Sequence, residues 1–303
     1  MTIKKMKSWS FGGLILLLAC IIVSCQEKSK PEYVFPEAPK SNNEKPRYIW
    51  IDAAANFNDF ANNRENITRD LTLAKGAGFT DVVVDIRPTS GDILYNSSVP
   101  GVQKVEWMGA WINGGYTKVT RSASWDYLQA FIDAGHALGL KVHAGFNTMV
   151  GGHSSSLGSQ GILFRDATKK GWATSLNTAA GIVNTMDGAQ GAKFFNPAND
   201  EVQTYLINLL KDLAKYNLDG IFIDRGRYDG IDADFSDISK QKFQAFLNGA
   251  QISNFPGDIL PPGATMSTIS AMATYPVHFK KWLEFRAKTI YDFFAKAKSA
   301  IKE

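Results

Sequence analysis

The sequence predicts an α/β fold of the (β/α)8, TIM-barrel type, with the first four strand–helix units of such a barrel present. Two observations carry this expectation. Short apolar runs alternate with stretches of helical period, and the runs are continuously apolar, as strands covered on both faces are. Strand, helix and strand also recur within about forty residues, the span of a right-handed crossover between parallel strands.

Tyr48–Ile51 is the first run, closed by Asp52. Residues 66–76 follow with Ile67, Leu71 and Ala74 on one helical face, and Gly76 and Gly78 stop the helix. Residues 79–88 form the second strand. Residues 89–123 are a long segment whose aromatic content argues for order and hence for a role. A helix over 125–139 carries Leu128, Phe131, Ile132 and Leu138, and a third strand over 140–146 ends near Asn147. A second long segment, 148–200, is rich in Gly and Ser at its start. Asp200 is expected to cap a helix reaching about Tyr216, with Val202, Leu206, Leu209, Leu210 and Leu213 in helical register. The fourth strand is Gly220–Asp224. Residues 237–249 read as helix, 250–275 as loop and 276–301 as a long amphipathic helix. Trp50, Trp125 and Trp282 fall at apolar-periodic positions and are expected in the core. No fifth strand is evident, so the sheet would keep two unpaired edges unless a second chain or a further segment completes the barrel.

The first 25 residues read differently. Lys4, Lys5 and Lys7 precede an apolar run over 11–23 that is short for a membrane span, and the run leads to Ser24-Cys25. This is the pattern of a bacterial lipoprotein signal peptide with Cys25 as the lipidated residue, a plain N-terminal anchor helix being the alternative. Residues 26–46, rich in Lys, Glu, Pro, Ser and Asn, read as a flexible tether. The folded domain is then 47–303, incomplete at its C-terminal side, held at the bacterial cell envelope on a periplasmic or outer-membrane surface. Both cysteines, Cys20 and Cys25, lie in the leader, which leaves the domain without a disulfide, a Cys metal site or a thiol nucleophile. Three leader lysines with no acid account for most of the formal +4, so the remainder is near +1, which argues against a nucleic-acid partner. The four histidines lack the spacing of a metal pair, and no phosphate-binding loop, dinucleotide fingerprint or Ser-His-Asp arrangement occurs; neither metal nor cofactor is expected.

Chemistry concentrates in Asp219-Gly-Ile-Phe-Ile-Asp224-Arg-Gly-Arg-Tyr-Asp229. A carboxylate at the carboxyl end of a parallel strand stands where such folds build their sites. The structural alternative for Asp224 is a helix cap or an ion pair with Arg225 or Arg227. Asp85 and Asp92, at and just past the second strand, could reach the same face. Asp85 has as its alternative a salt bridge to Arg87, and Asp92 a plain turn.

The order RYIWID, DIRPTSGDILY, GHALGLKVHAGFN, NPANDEV and DGIFIDRGRYD, over about residues 46–250, resembles the glycosyl-hydrolase-like 10 family of bacterial α/β-barrel proteins. The resemblance implies glycoside hydrolysis with Asp224 as nucleophile or base. The family pattern Asp-Asp-Tyr is replaced here by Asp224-Arg225-Gly226, so the usual acidic neighbour is missing. Glycosidic cleavage normally needs a second carboxyl group, for which Asp85 and Asp92 are the candidates. Sugar binding is expected from Arg87, Tyr95, His143, Asn147, Asn196, Arg227 and Tyr228. His143 has a core role as its alternative. Trp107, Trp111 and Trp172 are either sugar-stacking platforms or buried pins for the long segments. The expected function is hydrolysis of a poly- or oligosaccharide at the cell envelope. The alternatives are a non-catalytic glycan-binding lipoprotein and an inactive fragment of a barrel hydrolase.

Overall fold

The computed structural model describes residues 45–302; the leader, Cys25 and most of the tether lie outside the described residues. The described chain is a mixed α/β structure. It opens with β1 (Tyr48–Ile51), a single turn α1 (Phe57–Phe60), α2 (Arg64–Gly76) and β2 (Asp81–Arg87). A hairpin of β3 (Trp107–Ile112) and β4 (Gly115–Thr120) precedes α3 (Tyr127–Ala137) and β5 (Lys141–Asn147). Then come β6 (Val150–Ser155), β7 (Gly158–Gln160), α4 (Ile162–Arg165), β8 (Ser175–Thr178), β9 (Gly181–Asn184) and β10 (Gly191–Phe194). The chain closes with α5 (Asp200–Leu213), β11 (Gly220–Asp224), α6 (Asp237–Phe246), α7 (Met266–Ser270) and α8 (Phe279–Ala300).

Four strands pair in parallel in the order β1-β2-β5-β11. Register fixes what each face carries, because partnered residues in neighbouring strands point the same way and successive residues alternate. Ile51, Val82, Val84, Val142, Ala144 and Phe146 occupy one face and are buried. Against them lie Ile67 and Leu71 of α2, Leu128, Phe131 and Ile132 of α3, and Leu206, Leu209 and Leu213 of α5, all in one apolar cluster. The helices exist because their apolar residues recur at three and four, and polar caps start them: Asn63 accepts from the amides of Glu65 and Asn66, and Asp126 from that of Gln129. A second cluster gathers Phe235, Phe243, Ile259, Leu260 and Trp282 around α6 and α8.

The opposite face of the sheet carries Tyr48, Trp50, His143 and Phe222, whose rings meet edge-on or tilted. Trp50 is 44% exposed there, not in the core as its apolar neighbours suggested, because alternation turns it away from the helices. Two further expectations are corrected. Asn199, not Asp200, caps α5, accepting from the amides of Glu201 and Val202, while Asp200 pairs with Lys242 at 2.6 Å. The segments over 89–123 and 148–200 also hold seven short strands. They escape a periodicity reading because they are short, three to six residues each, and most of them mix Gly, Ser or Thr with few large apolar residues. The β3–β4 turn is formed by Asn113 and Gly114, both with positive φ (51° and 84°), the geometry of a tight hairpin.

The two faces give opposite mutational expectations. Leu206→Ala, in a fully buried position, should cost about 3 kcal/mol in urea unfolding. Trp50→Ser should cost less than about 1 kcal/mol, against the 3–5 kcal/mol of a buried ring.

Candidate active site

The carboxyl ends of the four parallel strands bring Asp52, Asp85, Asn147 and Asp224 to one rim. Ile51 partners Val84, so Asp52 follows on beside Asp85, and Asp224 partners Asn147 directly. Asp85 is buried; its carboxylate accepts from the Asn147 Nδ2 amide at 3.3 Å and from the backbone amides of Ala53 and Arg87. Burial pushes its pKa up to about 7; the nearby charges of Asp52 and, more weakly, Asp224 push in the same direction against those two amides.

Arg87 does not neutralise it. The β2–β5 register shifts between Asp85 and Arg87, Asp85 partnering Gly145 and Arg87 partnering Phe146. This bulge turns Arg87 out of phase. Its guanidinium lies fully buried over the rings of Phe146 and Phe195, at 5.1 and 5.9 Å, and donates to the carbonyls of Asn147 and Thr148. Arg87 is therefore a clamp on the β5 end, and the salt bridge weighed for Asp85 is not formed.

Asp224 is exposed. Its Oδ1 accepts from the Arg225 backbone amide at 2.7 Å, and its carbonyl accepts from the Thr148 amide at 2.8 Å. Arg225 has φ of 45°, uncommon for a residue with a side chain, and Gly226 follows where a Cβ would stand 2.6 Å from the Phe294 ring. The chain thus turns sharply behind the carboxylate. Arg227 directs its guanidinium to the carbonyls of Tyr228 and Asp229, at 3.1 and 3.0 Å.

Other expected site residues lie elsewhere. Asp92 is buried and paired with Arg165, Oδ2 to Nη1 at 2.9 Å and Oδ1 to Nη2 at 2.7 Å, and it accepts from the Gly161 amide. It ties the chain after β2 to the start of α4. Tyr95 is buried with its hydroxyl donating to the Leu209 carbonyl, and burial raises its pKa. His143 is buried near the opposite end of the sheet, its Nε2 2.7 Å from Asp81 Oδ1. Asn196 is fully buried, bonded to Ser236, Ser239 and the Ala198 amide. Tyr228 is buried beneath the Arg286 guanidinium. Trp172 is buried too, its Nε1 donating to Glu201. Tyr95, His143, Asn196 and Tyr228, expected as substrate contacts, are each enclosed by protein and already bonded or packed there.

The tryptophans of the β3–β4 hairpin stand apart from these. Trp111 is 65% exposed and meets Tyr116, 67% exposed, edge-on. Trp107 is half-buried and lines a cavity of about 410 Å3, within the range of small-molecule sites. Ala54 and Ser90, just past the ends of β1 and β2, line it, with Tyr116, His153 and Gln160 on its other sides. Asp52, Tyr116, His153 and Gln160 were not singled out from the sequence. Asp52 carried a usable signal, since it closes the first apolar run as Asp224 closes the fourth. Among the described residues no group of three or more His, Cys, Asp or Glu is arranged to hold a metal ion, and no helix is long and apolar enough to cross a membrane.

A parallel sheet with acids along its carboxyl rim and a cavity beside them is a place where α/β proteins build sites. The family model described as Glycosyl hydrolase-like 10 matches residues 45–303, and the chain belongs to that family. An S-layer-related protein of Niallia circulans is 31% identical over 277 residues, which are 88% of this chain and 16% of that protein; the chain thus spans a small part of its relative's length. Among solved structures, α-L-fucosidase isoenzyme 2 from Paenibacillus thiaminolyticus is similar with a TM-score of 0.49 and 15% identity, over 85% of this chain and 31% of that one. A hypothetical protein from Ruminiclostridium thermocellum is similar with a TM-score of 0.46 and 14% identity, over 84% and 91% respectively.

Neutralising either interior acid should change how stability depends on pH, since burial raises the pKa of both Asp85 and Asp92. A carboxyl whose folded pKa is raised holds its proton longer in the folded than in the unfolded chain. The stability this contributes is full below pH 4 and gone above pH 7. The Asp85 contribution should therefore fall by about 2–4 kcal/mol across that window, and Asp85→Asn should remove it from chemical-denaturation series at stepped pH. Burial raises the Asp92 pKa as well, against the opposing Arg165 ion pair, so Asp92→Asn should also flatten the pH dependence while leaving Arg165 facing a neutral group.

Proposed function

We propose that this protein is a glycoside hydrolase acting on a poly- or oligosaccharide at the bacterial cell envelope. Asp224, exposed at the end of β11, is the nucleophile or base. Asp85, whose pKa of about 7 keeps much of it protonated near neutral pH, is the acid that delivers a proton to the leaving oxygen. The observation that carries the reading is this pair of differing carboxyl environments on one rim: one buried beside like charge, the other open to solvent. Asp52 adds negative charge that keeps the Asp85 proton in place, and Asn147 orients the Asp85 carboxyl from β5. Asp92, ion-paired with Arg165, has no part in the chemistry. Trp107 and Trp111 contact the glycan, and Arg87 supports the rim.

Family membership supports the activity, and the S-layer-related name of the relative agrees with an envelope location. In this reading Cys25 carries the lipid and residues 26–46 tether the domain 47–303 to the membrane. The sheet is one wall of a (β/α)8 barrel, and the exposed Tyr48, Trp50 and Phe222 are the surface that further strands cover.

Purified protein should release reducing sugar from at least one member of a broad envelope-glycan panel. Asp224→Asn should lower kcat by about a thousandfold, and Asp85→Asn by about a hundredfold or more. The wild-type rate should fall above pH 7 as Asp85 loses its proton. Binding of a glycan with no hydrolysis of any would replace this reading by that of a glycan-binding lipoprotein.

A further inference from the structure

The cavity beside the rim is lined with a chemistry of its own. Trp107, Tyr116 and Leu157 give it apolar surface; Ser90, His153 and Gln160 give it hydroxyl, imidazole and amide groups. Among the described residues lining it there is no carboxylate, lysine or arginine. Lys118, outside the lining, holds its ammonium 4.0 Å over the Trp107 ring. Lys193 on β10, the strand beside β6, is buried and bonded to the carbonyls of Thr185 and Ala189; burial, with the Lys193 charge adding to it, lowers the His153 pKa.

The walls are built. The Gln160 amide nitrogen donates to the Trp107 carbonyl at 2.8 Å, joining β7 to β3. Gly109 admits Leu157, whose Cδ1 would stand 2.8 Å from any Cβ there. Gly158, with φ of 132°, lies where its Cβ would be 3.3 Å from the edge of Trp107. The two hairpins approach closely at these glycines, with the Trp107 edge and the Tyr116 ring at the cavity.

We propose that this cavity is a subsite for one uncharged sugar ring, a hexopyranose without carboxylate, sulfate or free amine. An aromatic wall takes the C–H face of a pyranose, and neutral hydroxyl, amide and imidazole groups bond its hydroxyls. An ionised substituent would lose its hydration here without gaining a charged partner. The subsite adjoins the ends of β1 and β2, so a ring held there lies to one side of the carboxylates. The proposal rests on the reading of the rim as a glycan site.

The test uses the full chain carrying Asp224→Asn, so that ligands are not consumed. Calorimetric titrations compare neutral oligosaccharides with size-matched oligouronates and oligosaccharides of deacetylated amino sugars. Neutral ligands should bind more tightly than either charged class. Trp107→Ala should weaken them about tenfold, and Tyr116→Ala, at a well-exposed position that does not endanger folding, about threefold or more, each with an unchanged circular dichroism spectrum. Tighter binding of the oligouronate, lost in Lys118→Ala, would overturn the proposal, as would binding of no glycan. If wild-type protein hydrolyses a glycan while Trp107→Ala and Tyr116→Ala leave KM unchanged, the subsite is refuted and the hydrolase reading stands. If neutral glycans bind and both variants weaken them, but no glycan is hydrolysed, the subsite stands and the hydrolase reading fails.

Discussion

The bulge between Asp85 and Arg87 is the constraint on which the rim depends. In an unbroken strand the two residues would point the same way and neutralise each other. One extra residue in β2 puts Arg87 opposite Phe146, on the helix-covered side, and leaves Asp85 on the side of Asp52 and Asn147. The same displacement does two things. It supplies a buried cation that locks the carbonyls at the end of β5, and it denies that cation to the carboxyl that needs it. Asp85 is then buried with amides alone as partners, and burial first, with the two neighbouring acids adding to it, raises its pKa to about 7.

The rest of the architecture keeps that arrangement in place. The outward face of the sheet is fixed by α2, α3 and α5 through one apolar cluster, which sets register and so sets which residues reach the rim. Asp92 with Arg165, and Asp212 with Ser97 and Ser98, pin the segment between β2 and β3 from its two sides. The charge of Asp212, held down to about 2 mainly by Lys215 and Ser97 against its burial, secures the second of these contacts across the working pH range. Held at both places, that segment can present the β3–β4 hairpin and its aromatic residues beside the rim.

Much of this was legible in the sequence, and what was not failed for identifiable reasons. The four parallel strands stand out because each is a short apolar run ended by a polar residue, and Gly220–Asp224 falls at the bounds read for it. The short strands between them carry no such periodicity: most pair in local hairpins, and β10 is defined by β6, some way back along the chain. Trp50 looked like core because its neighbours are apolar, yet alternation puts it on the side the helices do not cover. Asp92 and Asn196 have the residue types and strand-end positions of site residues, and only three-dimensional partners, Arg165 and the Ser236–Ser239 pair, reveal their structural work. The bulge itself leaves no mark in the sequence, since Asp-Ile-Arg alternates as well as any strand.

The most direct measurement is a site-specific titration of the Asp85 side-chain carboxyl by carbon-detected nuclear magnetic resonance. The account predicts a midpoint near 7 that moves down when Asp52→Asn removes the neighbouring charge. A midpoint near the ordinary 4 of an aspartate, unmoved by that substitution, would contradict the claim that the bulge isolates Asp85 as a proton-holding acid.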